Sequence, residues 1–139
     1  MQRVEITNGH RGHRVTRKAV AGYVKRVLRK ERISDAWVSV VFVGSGYCRK
    51  INRLYLNHDF VTDVLTFPME SGRILDGEIY VNLDRAKTQA KEYGVSFGNE
   101  VARLVIHGTL HLVGYDDTNV RKAKAMKAQE ERHMSYWFQ

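Results

Sequence analysis

The most constraining feature of the sequence is the segment from Phe97 to Val113, which is apolar on nearly every side when drawn as a helix. A helix with apolar residues all round is buried among other elements. Ser96 can cap its N-terminus, and Gly114 permits the backbone conformation that ends a helix. A chain built around such a helix needs other elements to cover it, which favours a layered domain.

The remaining segments predict a single α+β domain over residues 1–139. Runs of apolar and β-branched residues predict a small mixed sheet of about four strands, at 3–7, 37–43, 64–67 and 78–83. Apolar residues at helical spacing predict four more helices, at about 16–32, 47–56, 84–93 and 118–136. About five helices therefore cover the sheet. Ser45 is the expected N-cap of the second helix, and a turn is expected at 72–77.

The chain is strongly basic, with 23 Lys and Arg against 15 Asp and Glu and a net charge of +8. Such a charge favours a polyanionic partner, either nucleic acid or an anionic membrane surface, although a basic surface alone would also explain it. The basic residues concentrate at 11–32 and 121–127 and resemble solvated helix faces. Contact with RNA phosphates and simple solvation of the helix face both stay open for Arg26, Arg29, Lys30 and Arg32.

Several features of the sequence favour a cytoplasmic protein. Cys48 is the only cysteine, so an internal disulfide is impossible and a reducing compartment is expected. The first ten residues lack the apolar run of a signal peptide. The longest uninterrupted apolar run, Val40 to Val43, is too short to span a bilayer.

Two histidines on the buried helix give the clearest chemical signal. His107 and His111 stand at i and i+4, so both imidazoles leave the same helix face one turn apart. Gly114 lets the chain turn back and bring Asp117 to the same point. Two imidazoles and one carboxylate suit zinc and leave a fourth position for water. The sequence therefore predicts a metal site on the central helix and the following turn, with one zinc ion per chain.

Two competing interpretations of these histidines are weaker. Paired histidines on a helix are often only polar residues at the margin of a core, but this helix is buried, and buried polar groups need partners. The spacing of the three residues, with glycine at i+7, also matches metzincin peptidases. Those enzymes carry a glutamate as general base directly after the first histidine, where this chain has Gly108. A peptidase would therefore lack its base.

Residues 107–117 read HGTLHLVGYDD and resemble the motif H-G-x-L-H-L-x-G-Y-D-H of the YbeY family of bacterial endoribonucleases at every fixed place but the last. The segment from Ile51 to Pro68 resembles the family pattern L-N-x-x-[YF]-R-x-x-D-x-x-T-D-V-L-S-F-P. Gly77 to Val81 resembles the family's G-D-I-x-I strand. The matches cover most of the chain in order. The family fold, a small sheet covered by helices, agrees with the elements predicted above.

The resemblance implies a metal-dependent hydrolase, namely a zinc endoribonuclease that cuts single-stranded RNA in ribosomal RNA maturation and ribosome quality control. It implies ribosomal RNA or the small ribosomal subunit as partner, and neither DNA nor a membrane is expected. No catalytic residue is assigned beyond the metal ligands, because no side chain in the motif is an obvious general base. The alternative is a metal-stabilised ribosome-assembly or RNA-binding factor with weak or no nuclease activity.

Two positions depart from the family pattern. The third ligand is usually histidine, and here it is Asp117, whose negative charge should leave a bound water less acidic. The family's arginine after the aromatic position, which is implicated in RNA cleavage, is here Leu56. Arg53, one helical turn earlier, can replace it only in part. The second departure and the absence of an obvious general base together are the reason for the alternative of an RNA-binding factor.

Other polar residues carry weaker expectations. Asp63 and Thr66 match family positions but are expected mainly to hold a loop and a strand end. Asp116 is expected either to orient Tyr115 or a ligand histidine, or to stabilise the turn. His58 is expected at the surface. No spacing pattern points to a ligand role for the remaining histidines: His10, His13 and His133.

Overall fold

Four strands form one mixed sheet in the computed structural model, which describes residues 1–57, 61–69 and 72–138. The strands are β1 (Gln2–Asn8), β2 (Ala36–Val43), β3 (Val64–Met69) and β4 (Leu75–Asn82). They lie in the order β1-β2-β4-β3. β1, β2 and β4 run parallel, and β3 joins the edge antiparallel to β4.

Five helices accompany the sheet in the described ranges: α1 (Arg17–Lys30), α2 (Ser45–Leu56), α3 (Leu83–Tyr93), α4 (Phe97–Leu112) and α5 (Val120–Trp137). This arrangement confirms the predicted α+β fold with a small mixed sheet. None of the helices in those ranges is both long and apolar enough to cross a lipid bilayer.

The predicted ends of the elements differ from the observed ones by at most three residues, and three of these differences have a clear local reason. α1 stops at Lys30, because Arg32 adopts a left-handed backbone conformation with a φ of 59°. The N-cap of α2 is Gly44, and Ser45 is already the first helical residue. β4 begins at Leu75, inside the predicted turn, because its first residues pair in parallel with β2.

The main core lies on one face of the sheet. Side chains alternate along a strand, so the inward residues of β2 and β4 share this face and are fully buried: Val38, Val40, Phe42, Ile79 and Val81. α1 and α4 pack across them, and α5 packs on α4. α2 packs on the opposite face of the sheet, over a smaller cluster that includes Cys48 and Leu65. α4 is therefore enclosed, as its all-round apolar sequence predicts.

Two glycines determine how closely α4 approaches the sheet. A Cβ atom at Gly108 would lie 2.6 Å from Cγ2 of Ile79. A Cβ atom at Gly77 would lie 2.6 Å from Cδ2 of Leu112. Both distances are far shorter than van der Waals contact, so neither position has room for a side chain. This close packing places α4, and with it His107, firmly against the sheet.

Candidate metal centre

His107, His111 and Asp117 converge beside the C-terminal half of α4, as the sequence predicts. One ligand atom of each lies within 4.8 Å of those of the other two. α4 presents the two histidines one turn apart. Gly114 then has a φ of 116°, which residues with a side chain rarely adopt, and the chain reverses there. This turn carries Asp117 back to the histidines.

Each of the two histidines is held through the ring nitrogen that points away from its partner. Nδ1 of His107 lies 2.7 Å from Oε1 of Glu130 on α5. Nδ1 of His111 lies 3.1 Å from the carbonyl oxygen of Tyr115. A carbonyl oxygen and an ionised carboxylate only accept hydrogen bonds, so each Nδ1 carries the donated proton. In the neutral rings both Nε2 atoms are therefore unprotonated.

The two Nε2 atoms lie 3.2 Å apart and present their lone pairs to each other. Such an arrangement is repulsive unless a proton or a cation is shared between the two nitrogens. Burial and the neighbouring His107 lower the pKa of His111, which disfavours the proton. A metal ion bound by both nitrogens would remove the repulsion, and Asp117 would add a charged oxygen ligand. The donor set therefore fits a zinc ion.

A buried chain of charged side chains supports His107 from behind. Glu130 is 4% exposed, and its second oxygen lies 3.6 Å from Nη1 of Arg103. Arg103 also donates two hydrogen bonds to Glu100, at 2.8 and 2.5 Å. Glu100 is fully buried. The ring of His107 is thus oriented by a carboxylate that is itself held in place by an arginine.

The charges in this chain reinforce one another. Burial opposes ionisation of Glu130, but the hydrogen bond with His107 and the positive charge of Arg103 outweigh it and lower the pKa of Glu130. The hydrogen bonds to Glu100 raise the pKa of Arg103. Glu130 and Arg103 are therefore both charged at neutral pH. An ionised carboxylate on Nδ1 makes the opposite nitrogen of His107 a more basic ligand.

Gly108 explains why no acidic residue follows His107. An added Cβ at this position would meet Ile79, Val64 and Thr66 on the sheet. A glutamate there would enter the core instead of reaching the side of the helix that carries the histidines. The metzincin arrangement, with its base at this position, is therefore sterically incompatible with this fold.

The hydrogen bonds of Asp63 and Asp116 favour structural roles for these two residues. Gln89 on α3 donates to Glu100 at 2.7 Å and to Asp63 at 3.4 Å, which ties the start of β3 to α3 and α4. Asp116 accepts hydrogen bonds from the backbone N–H and the hydroxyl of Thr118, at 3.1 and 2.8 Å. Of the two expected roles of Asp116, these contacts support stabilisation of the turn.

The departure at Leu56 lies at the end of α2. Leu56 is the last helical residue and is 41% exposed, so an uncharged side chain stands at the surface where the family carries arginine. Arg53, one turn earlier, is also exposed. The expectation for His58 concerns a position outside the described residues.

Arg26 is engaged by α5, which the sequence did not reveal. Its Nη1 lies 2.5 Å from Nδ1 of His133, and its guanidinium lies 3.9 Å from the centre of the Tyr136 ring. His133 is 3% exposed, and burial together with Arg26 lowers its pKa. Arg26 therefore joins α1 to α5. Of the four basic residues considered for contact with RNA, the other three remain exposed: Arg29, Lys30 and Arg32.

A second cluster of two histidines and one aspartate lies elsewhere in the fold. His10, His13 and Asp84 also bring one ligand atom each to within 4.8 Å of the others. Nδ1 of His10 accepts from the N–H of Gly12 at 2.9 Å, and Nε2 of His10 lies 2.8 Å from Oδ1 of Asp84. The other oxygen of Asp84 accepts from the N–H of Ser45 at 2.9 Å. These bonds join the loop after β1 to the starts of α2 and α3.

Comparison with known proteins finds relatives over nearly the whole chain. The family model described as endoribonuclease YbeY matches residues 5–137. The endoribonuclease YbeY of Chlorobaculum tepidum is 36% identical over 115 residues, which cover 83% of this chain and 84% of the relative. The protein of the same name from Chlorobium phaeobacteroides is 38% identical over 112 residues, 81% of each chain. A solution structure of a Thermotoga maritima protein matches with a TM-score of 0.69 and 30% identity, over 94% of this chain and 86% of that one.

Proposed function

The chain belongs to the endoribonuclease YbeY family, and from this premise we propose that it is a zinc-dependent endoribonuclease acting on single-stranded RNA. Family membership supports the coarser activity, that of a nuclease and hence a hydrolase. The proposal adds one zinc ion per chain, held by His107, His111 and Asp117. It also adds a role in ribosomal RNA maturation and ribosome quality control in the cytoplasm.

The arrangement of the histidine nitrogens carries the zinc proposal. The outer nitrogens of His107 and His111 are fixed by acceptors, Glu130 and the carbonyl of Tyr115. The inner nitrogens face each other at 3.2 Å, and neither of these two atoms carries a proton. An isolated core histidine pair would place a donor against an acceptor, whereas this pair places two acceptors together. A bound cation is the simplest reason for such an arrangement.

The surroundings of the site suit an RNA phosphate. When bound, a zinc ion supplies Lewis acidity to a phosphoryl oxygen and lowers the pKa of a coordinated water. A cavity of about 180 Å³ opens beside His107 and Asp117, between α4 and α5. Arg103 and Lys127 bring positive charge to its lining. Arg103 is engaged by two carboxylates, so we expect the exposed Lys127 to be the lining side chain that contacts a phosphate.

The identity of the RNA partner rests on charge and on the family. A net charge of +8 favours binding through phosphates, and several basic residues of α1 are exposed. Ribosomal RNA, free or in the small ribosomal subunit, is the partner proposed from the family resemblance. Neither DNA nor a membrane is expected as a partner.

Cleavage of a ribosomal RNA precursor by the purified protein tests the proposal. The zinc-loaded protein should cut single-stranded regions, lose this activity in a chelator and regain it when zinc is returned. His111→Ala should be inactive under all three conditions, whereas His13→Ala, from the second cluster, should behave as the unmodified protein. Activity that survives both the chelator and His111→Ala would refute a role for the metal.

The alternative, a metal-stabilised assembly or RNA-binding factor, is favoured by one observation. The surface position at the end of α2 that carries arginine in the family is the uncharged Leu56. Leu56→Arg restores the family residue and should raise the cleavage rate if the chain is an enzyme weakened at this position. A protein that binds zinc and RNA yet shows no cleavage, with or without Leu56→Arg, would establish the alternative.

A further inference from the structure

A pocket of about 380 Å³ lies between α2 and the face of the sheet opposite α4. Four aromatic rings and one carboxylate line it, and we call it the aromatic pocket: Tyr47, Tyr55, Phe67, Tyr80 and Glu78. Phe67 and Tyr80 form its floor, with ring centres 5.6 Å apart and nearly perpendicular planes. Tyr55 stands over Phe67 at 6.0 Å in a similar edge-to-face contact.

The rings of the pocket wall are unusually exposed for aromatic side chains. Tyr55 is 72% exposed and Tyr47 is 53% exposed. Exposed rings that converge on one cavity offer π-faces to a flat ligand, whereas scattered surface aromatics do not. The pocket is therefore built to accept a planar group from solvent.

The pocket also contains polar groups that an apolar ligand would leave unsatisfied. The hydroxyl of Tyr80 lies 3.4 Å from Oε1 of Glu78, a long hydrogen bond that leaves most of the carboxylate's accepting capacity unused. Burial raises the pKa of Tyr80, as do the nearby Glu78, Tyr47 and Tyr55. Three phenols and a carboxylate thus face one space. A planar ligand with N–H donors on its edge matches this chemistry better than a hydrocarbon side chain does.

The pocket and the candidate metal centre lie on opposite faces of the same two strands. Along β4, Ile79 faces α4, whereas Tyr80 lines the pocket. Along β3, Thr66 approaches Gly108 on α4, whereas Phe67 lines the pocket. β3 is one of the two edge strands of the sheet. A polymeric ligand that contacts both sites therefore needs to pass around β3 alone.

The flank of α4 that carries His107 faces the same edge. Glu100 and His107 are two helical turns apart and therefore share one side of α4. Gln89 connects Glu100 to Asp63, which immediately precedes β3. The flank of α4 that carries His107 therefore lies on the side of β3, the strand that also borders the aromatic pocket.

We propose that the aromatic pocket binds one unpaired base of the RNA strand whose backbone is held at the metal centre. This inference rests on the proposed function, since it assumes an RNA substrate. Stacking on aromatic rings is the usual way that proteins hold bases of single-stranded RNA. Glu78 accepts hydrogen bonds only, so it favours the amino groups of adenine and cytosine over uracil, whose N3–H donor lies between two carbonyl acceptors. On α2, the exposed Lys50 adds positive charge for the adjoining phosphates.

Binding of short labelled oligonucleotides to the zinc-loaded protein tests the pocket. Octamers of adenosine and of uridine, 2′-O-methylated so that cleavage does not consume them, are compared by fluorescence anisotropy. The unmodified protein should prefer the adenosine octamer. Tyr55→Leu should weaken its binding about 5- to 100-fold, the range expected for one lost stacking contact. Tyr55→Phe keeps the ring and should bind nearly as well as the unmodified protein.

Two further variants separate stacking from selectivity and from general surface effects. Glu78→Gln should reduce the preference for adenosine over uridine, because an amide can donate as well as accept. Trp37→Leu is the matched control, since Trp37 is an exposed aromatic residue on the same face of the sheet but does not line the pocket. Trp37→Leu should bind as the unmodified protein does.

The possible failures of the two proposals are distinguishable. Unchanged adenosine binding in Tyr55→Leu, or an equal loss in Trp37→Leu, overturns the pocket alone if the unmodified protein still cleaves RNA in a zinc-dependent manner. An unmodified protein that neither binds the octamers nor cleaves RNA overturns both proposals. If Tyr55→Leu abolishes self-association of the protein but leaves RNA binding intact, the pocket is a protein interface and a base is not its ligand.

Discussion

Two clusters of two histidines and one aspartate occur in the described part of this protein, and they differ in where their protons lie. In each cluster one ligand atom per residue falls within 4.8 Å of the other two. In the first, Nδ1 of His107 and of His111 each meet an oxygen that only accepts, which leaves both Nε2 atoms unprotonated. In the second, Nδ1 of His10 meets an N–H that only donates, which forces the proton onto Nε2.

The consequence for metal binding is opposite in the two clusters. The proton on Nε2 of His10 is used in the hydrogen bond to Asp84, so this nitrogen has no lone pair for a metal. A metal on Nε2 would break that bond and move the proton to Nδ1, which would also break the bond from Gly12, whereas a metal on Nδ1 would break the bond from Gly12. In the first cluster the ligand nitrogens need no rearrangement. We therefore expect the partner of the outer nitrogen, more than the closeness of ligand atoms, to decide which of the two clusters binds a metal.

The largest expected effect separates the clusters by metal content. The protein purified without added metal should contain about one zinc ion per chain, and His111→Ala should lower this to less than about a tenth, because two remaining ligands do not close a zinc site. His13→Ala is the matched control and should keep about one zinc ion per chain. Elemental analysis measures both. If the unmodified protein contained two zinc ions and each variant lost one of them, the second cluster would also be a metal site, and the proposed difference between the clusters would be wrong.

A second effect concerns the carboxylate behind His107. Glu130→Leu removes the acceptor of the Nδ1 proton and should weaken zinc binding about 10- to 100-fold. Glu130→Gln keeps an oxygen acceptor and should lose less affinity. Competition with a chromophoric chelator gives the dissociation constants. Glu131→Leu, at the exposed neighbouring position, is the control and should leave them unchanged. Equal affinities for Glu130→Leu and Glu131→Leu would contradict the supporting role.

The third effect is on stability and belongs to the second cluster. Asp84→Ala removes the acceptor for the N–H of Ser45 and for His10, and it should lower the free energy of unfolding by about 1–2 kcal/mol without changing zinc content. Urea denaturation at pH 7 measures this loss. Glu92→Ala, which removes an exposed carboxylate at the other end of α3, is the control and should change stability much less.

The pH dependence of this loss has a definite sign. The hydrogen bond from Ser45 and then that from His10 lower the pKa of Asp84 in the folded protein. The contribution of Asp84 to the free energy of unfolding is therefore complete above about pH 3.9, the pKa of this carboxyl in the unfolded chain. It is lost as the pH falls through the lower pKa that Asp84 has in the folded protein. The difference between Asp84→Ala and the unmodified protein should shrink below about pH 4. A difference that grows on acidification would show that Asp84 acts by another route.

The first cluster was predictable from the sequence because its ligands are local. His107, His111 and Asp117 lie within one helix and the next turn, so helical geometry and Gly114 bring them together without knowledge of the rest of the fold. Glu130 lies 23 residues beyond His107 and reaches it only because α5 docks on α4. No spacing rule covers such a contact, so the supporting carboxylate was missed.

The second cluster and the start of β4 also depend on contacts between distant segments, which the sequence alone does not predict. His10 and Asp84 are 74 residues apart, and only the sheet brings the loop after β1 to the start of α3. The predicted turn at 72–77 overlapped β4, because Gly77 suggests a turn but serves as a strand residue that makes room for Leu112. The aromatic pocket joins α2 to two strands in the same way. Elements and local ligand sets were predictable, whereas contacts created by packing were not.

The difference between the two clusters can also be tested in the unmodified protein, without any substitution. Long-range proton–nitrogen NMR spectra of the zinc-free protein above pH 7 report which ring nitrogen of each histidine carries the proton. His107 and His111 should show the proton on Nδ1, because their partners there only accept. His10 should show it on Nε2, because an N–H donor occupies its Nδ1. If His10 instead carries its proton on Nδ1, its Nε2 is available to a metal, and the two clusters no longer differ in the property that distinguishes them here.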